Sequence, residues 1–181
     1  EHPNPKVGQV SLPDTINHII SVIKSLDEKP IIIGHSFGGM LTQLMINRDL
    51  GVAGVAIDSV PPQGLLSFKF SFLRSTFPIL NPLTSSPWLM SFKHFQYAFA
   101  NGMPLREQKQ AYEEIIVPES LRIARGGLGP SAHVDFKKAH APLLLIGGEH
   151  DHIMPASLNK ANYKRYKSSA PSITDYKEFE G

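Results

Sequence analysis

Ile16, Ile19, Ile20, Ile23 and Leu26 recur at three- and four-residue intervals, the stripe that an amphipathic helix lays against a sheet. Ser11 and Asp14 precede the stripe at capping-box spacing, so the helix is predicted to open at Ser11. Pro30 stops helical continuation, and Ile31, Ile32 and Ile33 follow with no polar residue between them. Such a β-branched run predicts a strand buried on both faces of a parallel sheet. Helical spacing returns from Phe37 to Leu50 through Met40, Leu41, Leu44 and Met45, with Gly51 placed to end it. Val52 to Ile57 and Leu143 to Ile146 read as further strands, Pro155 marks a helix start, and Ile173 to Phe179 alternate like a last strand. Strand, helix and strand in succession imply crossovers, hence a mainly parallel sheet flanked by helices: an α/β fold.

The stretch between these halves has a different texture. Phe68, Phe70, Phe72, Phe77, Trp88 and Phe92 crowd its first part, interrupted by Pro61, Pro62, Pro78, Pro82 and Pro87, which predicts short helices and turns rather than sheet. A helix is expected over Arg106 to Ile116 and a loop over Gly126 to Pro130. The expected organisation is therefore a core formed by residues 1–58 and 142–181, with residues 59–141 as an inserted, mostly helical cap.

Composition narrows the field of functions. The 181 residues carry 18 Lys and Arg against 16 Asp and Glu, a net charge of +2 that gives no clustered footprint for a nucleic-acid backbone. Lys160, Lys164, Arg165 and Lys167 form one local basic run, which a solvated helix face explains. There is no cysteine, which excludes disulfide frameworks and thiol catalysis and leaves the redox compartment open. The longest apolar runs are far shorter than the roughly 18 residues a membrane-spanning helix needs, so no membrane span is expected.

The sharpest chemical signal is Gly34-His35-Ser36-Phe37-Gly38, followed by Gly39, set between a predicted strand and a predicted helix. A G-x-S-x-G at that junction presents its serine on a strained turn at the strand's carboxyl end, and the turn demands small residues beside it. Gly34 and Gly38 meet that need on either side, and Gly39 lets the helix approach the sheet. A serine hydroxyl is a weak nucleophile until a histidine removes its proton, and that histidine needs a carboxylate to orient it. Gly147-Gly148-Glu149-His150-Asp151 follows the predicted strand at 143–146, and Asp151 is the preferred acid, with Glu149 as the alternative. His150-Asp151-His152 invites a metal site, but side chains of adjacent residues diverge, so none is expected.

On these motifs the chain resembles the α/β-hydrolase superfamily, specifically a capped serine hydrolase of the esterase or lipase type. The resemblance implies Ser36 as nucleophile, Asp151 as the acid that orients the base, and the backbone N–H of Phe37 as one oxyanion donor. It implies no cofactor and no metal, and a small-molecule substrate: a carboxylic ester with an apolar acyl or alkyl group, opened through an acyl-enzyme. Carbon–carbon bond hydrolases and perhydrolases share the same triad and stay open at this stage. The resemblance places the catalytic histidine after the strand at 173–179 and the second oxyanion donor on a loop ahead of Pro3, so the sequence is expected to be a fragment. His2, His18, His94, His133 and His140 are expected to be structural. A fragment of this fold would expose sheet edge and core, favouring a homo-oligomer, and a catalytically silent ligand-binding scaffold is the alternative function.

Overall fold

The computed structural model describes residues 4–83, 87–169 and 172–180. His2 lies outside the described residues. A single 3-10 turn over Pro5–Gln9 leads into α1 (Leu12–Lys24), whose start is closed by the predicted capping box. Ser11 Oγ accepts the Asp14 N–H at 3.4 Å and the Asp14 carboxylate accepts the Ser11 N–H at 3.0 Å, satisfying two donors that an open helix end leaves bare.

Four strands, β1 (Ile31–His35), β2 (Ala53–Ile57), β3 (Leu143–Gly148) and β4 (Thr174–Phe179), form one sheet in the order β1-β2-β3-β4, every pair parallel. Helix α2 (Phe37–Asn47) crosses from β1 to β2, and α7 (Ala156–Ser169) crosses from β3 to β4. The parallel sheet flanked by helices is the α/β architecture that the alternating pattern predicts. Between β2 and β3 the chain forms α3 (Phe70–Leu80), α4 (Phe92–Ala98), α5 (Leu105–Ile115) and α6 (Leu121–Gly126), then a 3-10 turn over Pro130–Ala132. Sheet-like pairing among the described residues of this stretch is limited to one antiparallel bridge, Trp88 with Glu119.

The principal core lies between the sheet and the helices α1, α2 and α7. Leu12, Met40, Leu44, Met45, Leu145 and Tyr166 are fully or almost fully buried there, joined by Ala132, Val134 and Phe136 from the end of the long connection. Two smaller clusters hold the connection together and seat it on the loop after β3: Phe72 and Ala98 pack with Ile153, Met154 and Leu158, and Met90, Phe95 and Ala100 pack beneath Trp88 and Tyr112.

Two local expectations are corrected. Burial of β1 on both faces fails, because Ile31 and Ile33 are 63% and 66% exposed. The strand is at the end of the sheet order, and only its Ile32 side meets the core; the face carrying Ile31 and Ile33 belongs to none of the buried clusters of the described residues. The end of α2 is set not by Gly51 but by Asp49, which adopts the left-handed conformation at φ 59° while Leu50 N–H turns back to the Met45 carbonyl. Gly51 answers a packing need instead: a Cβ there would lie 2.9 Å from methyl groups of Ile32 and Ile46.

Candidate active site

Ser36 stands between the last residue of β1 and the first of α2, with φ 53° and ψ −116°, a region that residues bearing a Cβ seldom occupy. The backbone around it holds that conformation from both sides. Ser36 N–H donates to the Ile57 carbonyl of β2 at 2.9 Å, and its own carbonyl accepts from Gly39 N–H at 3.0 Å and from Val60 N–H at 3.0 Å. The neighbouring glycines divide in role. A Cβ on Gly34 would fall 2.1 Å from the Gly38 carbonyl oxygen, and one on Gly39 would fall 2.8 Å from Ser59 Cβ. A Cβ on Gly38 would meet nothing within 4 Å. Close approach of strand and helix therefore requires glycine at 34 and 39, while at 38 it is the backbone carbonyl, not the lack of a side chain, that matters.

Ser36 and Phe37 line a cavity of about 740 Å³. Its wall is mostly apolar, supplied by Leu65, Phe72, Ile79 and Met90 from the long connection and by Ile153 and Met154 from the loop after β3. Phe37 is the first residue of α2, so its N–H has no acceptor within the helix and lies at the positive end of the helix dipole. That is the arrangement a developing oxyanion needs.

Asp151 lies on the loop after β3, and its Oδ1 accepts the N–H groups of Ile153 and Met154, both at 2.7 Å. Burial raises its carboxyl above the ordinary aspartate range; the two N–H bonds oppose this, Asp58 pushes further up by repulsion and His35 pulls down. Glu149 is exposed and continues the strand pairing, donating its N–H to the Phe179 carbonyl at 2.9 Å. The three-residue run that invites a metal is dispersed: His150 is exposed, His152 places Nδ1 2.8 Å from the Tyr97 carbonyl, and no metal-holding group of side chains occurs among the described residues.

Asp58 was not singled out by the sequence. It follows β2 at φ 41°, and its Oδ1 accepts the Gly148 N–H at 2.6 Å, which ties the exit of β2 to the start of the Asp151 loop. The available signal was an acid immediately beyond the carboxyl end of a parallel strand, where ligands of open α/β sheets gather. A buried polar chain was also not legible. Asn162 Nδ2 donates to Gln43 Oε1 at 2.8 Å, Gln43 Nε2 to Ser59 Oγ at 2.8 Å, and Ser59 N–H to Asn159 Oδ1 at 3.0 Å. Asn159 Nδ2 then donates to the Met154 carbonyl at 3.2 Å, so side chains from α2, the β2 exit and α7 link the elbow helix to the loop that holds Asp151.

Comparison with known proteins agrees with this architecture. The chain belongs to the alpha/beta hydrolase family, whose model matches residues 4–176. Curated proteins give no match. Among solved structures, the monoacylglycerol lipase of Paleococcus ferrophilus is 21% identical with a TM-score of 0.62, over 96% of this chain and 67% of that one. Tomato methylketone synthase I, as its H243A variant complexed with beta-ketoheptanoate, is 15% identical with a TM-score of 0.65, over 97% of this chain and 72% of that one. Polyneuridine aldehyde esterase, as its H244A mutant, is 14% identical with a TM-score of 0.61, over 97% and 74%. At these identities the likeness is one of fold. No described helix is long and apolar enough to cross a membrane.

Proposed function

We propose that the chain carries the nucleophile and acid of a serine hydrolase acting on carboxylic esters with an apolar acyl or alkyl group. The observation that carries the reading is the strained Ser36, held at φ 53° on the strand-to-helix turn and opening into the apolar cavity. In this reading Ser36 Oγ attacks the ester carbonyl carbon while a histidine base takes its proton. The carbonyl oxygen gains the negative charge and is met by the Phe37 N–H; collapse expels the alcohol, which takes the proton back, and leaves an acyl-serine. Water repeats the sequence and releases the acid. Asp151 orients and stabilises the base, with Oδ1 already fixed by two N–H groups. Residues 59–141 act as a cap that supplies most of the apolar wall. Esterase and lipase folds among the structural neighbours support this choice, as does the predominance of carbon over polar atoms around the cavity.

A fluorophosphonate probe reacts only with an activated serine. In protein that also carries the histidine base, intact mass with peptide mapping is expected to show one adduct, on Ser36, and none in the Ser36→Ala variant. Absence of the adduct from such folded protein overturns the hydrolase reading and leaves a scaffold that binds apolar ligands without turning them over.

A further inference from the structure

Helix α3 carries two apolar sides, and only one of them meets the protein. Phe72, Thr76 and Ile79 line the cavity beside Ser36. Phe70, Leu73, Arg74 and Phe77 follow one another at three- and four-residue spacing and so share an outward side. Phe70 is 73% exposed and Phe77 68%, and Phe68, just ahead of the helix, is 87% exposed. None of the three belongs to a buried cluster of the described residues. Leu66 is exposed as well and lines the cavity, so the bare apolar surface runs to the cavity itself. A contiguous aromatic surface of this kind marks a place of interaction.

Charge indicates the partner. From residue 59 to residue 106 the sequence holds no Asp or Glu, but carries Lys69, Arg74, Lys93 and Arg106. Arg74, on the aromatic side of α3, also enters a polar pocket of about 220 Å³ that it shares with Ser91, Lys93, His94 and Tyr97. Its guanidinium stands 3.8 Å from the centre of the Tyr97 ring. Neither Arg74 nor Lys93 has an ion pair among the described residues. Two cations and two hydroxyls with no acid beside them suit a phosphate group, which takes charge-assisted hydrogen bonds from all four. We infer that the outward side of α3 docks on an anionic phospholipid surface, with Phe68, Phe70 and Phe77 entering the acyl boundary and Arg74 and Lys93 meeting headgroup phosphates. At 11 residues α3 is long enough to lie in that interface and too short to cross it. A second copy of the chain is the poorer partner, because a symmetric pairing sets the same basic surface against itself.

Co-sedimentation tests the docking with vesicles of phosphatidylcholine alone and of an equal mixture of phosphatidylcholine and phosphatidylglycerol. The protein is expected to partition onto the mixed vesicles about tenfold more strongly than onto the neutral ones, and to leave them as salt is raised. Phe70→Ala/Phe77→Ala and Arg74→Gln/Lys93→Gln are each expected to weaken partitioning about tenfold. Lys160→Gln/Lys164→Gln, an exposed basic pair on α7, should stay within about twofold of the wild type. Circular dichroism checks the fold of each variant, and Phe68→Ser, altered ahead of the helix, takes the place of the phenylalanine pair where α3 loosens. Absent or equal partitioning onto the two vesicles overturns the inference, and so does binding that survives either α3 variant or falls as far with the α7 pair. A doubled mass in light scattering without vesicles, returned to the monomer by Phe70→Ala/Phe77→Ala, overturns it in favour of a second copy on the same face. Docking does not pass through the serine: Ser36→Ala is expected to bind the vesicles as the wild type does, so failure of the hydrolase reading leaves this result standing.

Discussion

Replacing Gly34 by alanine puts a methyl carbon 2.1 Å from the Gly38 carbonyl oxygen, 2.3 Å from the Gly38 carbonyl carbon and 2.7 Å from Thr42 Oγ1. Two of these three neighbours are backbone, and the third is held by a 3.0 Å bond to that same carbonyl, so no flexible side chain can swing aside. Relief requires β1 and the first turn of α2 to separate until the contact reaches about 3.4 Å. Overpacking of this kind costs about 3 kcal/mol. The control is the other glycine of the motif. Gly38→Ala places its methyl in open space, at the second position of α2 and without positive φ, so it should be neutral or stabilising by up to about 0.5 kcal/mol. For a chain of this length the two variants should differ by about 6–12 °C in Tm, read by circular dichroism and checked by urea unfolding. Equal loss of stability in both variants refutes the argument, because it would mean that the motif's glycines act through backbone freedom and not through the close approach at Gly34.

Three further outcomes follow from the same geometry. Ser36→Gly should raise stability by about 1 kcal/mol in urea unfolding, since glycine accepts the conformation without the strain of a Cβ, whereas Ser36→Ala keeps that strain and should show no gain. Asp151→Asn keeps an oxygen to accept the Ile153 and Met154 N–H groups but removes a charge that burial disfavours. Because the folded-state pKa of Asp151 is raised, its contribution is favourable below the ordinary carboxylate range and is lost as pH climbs through the folded value. The variant should therefore melt above the wild type at pH 7, with the gap closing toward pH 4; a gap that widens on acidification contradicts the assigned burial. Asn159→Ala strips partners from the Ser59 N–H and the Met154 carbonyl, and at about 1–3 kcal/mol for each stranded group should lower unfolding free energy by about 2–6 kcal/mol. It should also accelerate amide exchange at Ile153 and Met154.

What the sequence disclosed was whatever is decided within a few residues. The capping box of α1 is a contact between positions 11 and 14, and the four strands and the crossovers α2 and α7 come from local periodicity and glycine or proline punctuation. The serine turn was legible for the same reason, because glycine spacing and the strand-to-helix switch lie within six residues. Features set by the arrangement of elements were not. The exposure of Ile31 and Ile33 depends on which strands and helices neighbour β1, and an isoleucine run reads alike at a sheet's centre and at its end. The stop of α2 at Asp49 was hidden because aspartate can take positive φ but does not announce it, while Gly51 two residues on carried the stronger local signal for another reason.

The site itself shows the same division more sharply. Asp58 and Asp151 are 93 positions apart in number, yet the parallel register pairs Ile57 with Ile146, so both strands finish at the same edge and their acids come to one place. Asp58 has no recognisable motif because its meaning arises only from that register, through the bond to Gly148. Periodicity can thus locate the carboxyl edge of a parallel sheet, and chemistry can be sought there, but which charges face one another across it is fixed by strand register and by the connection that closes over it.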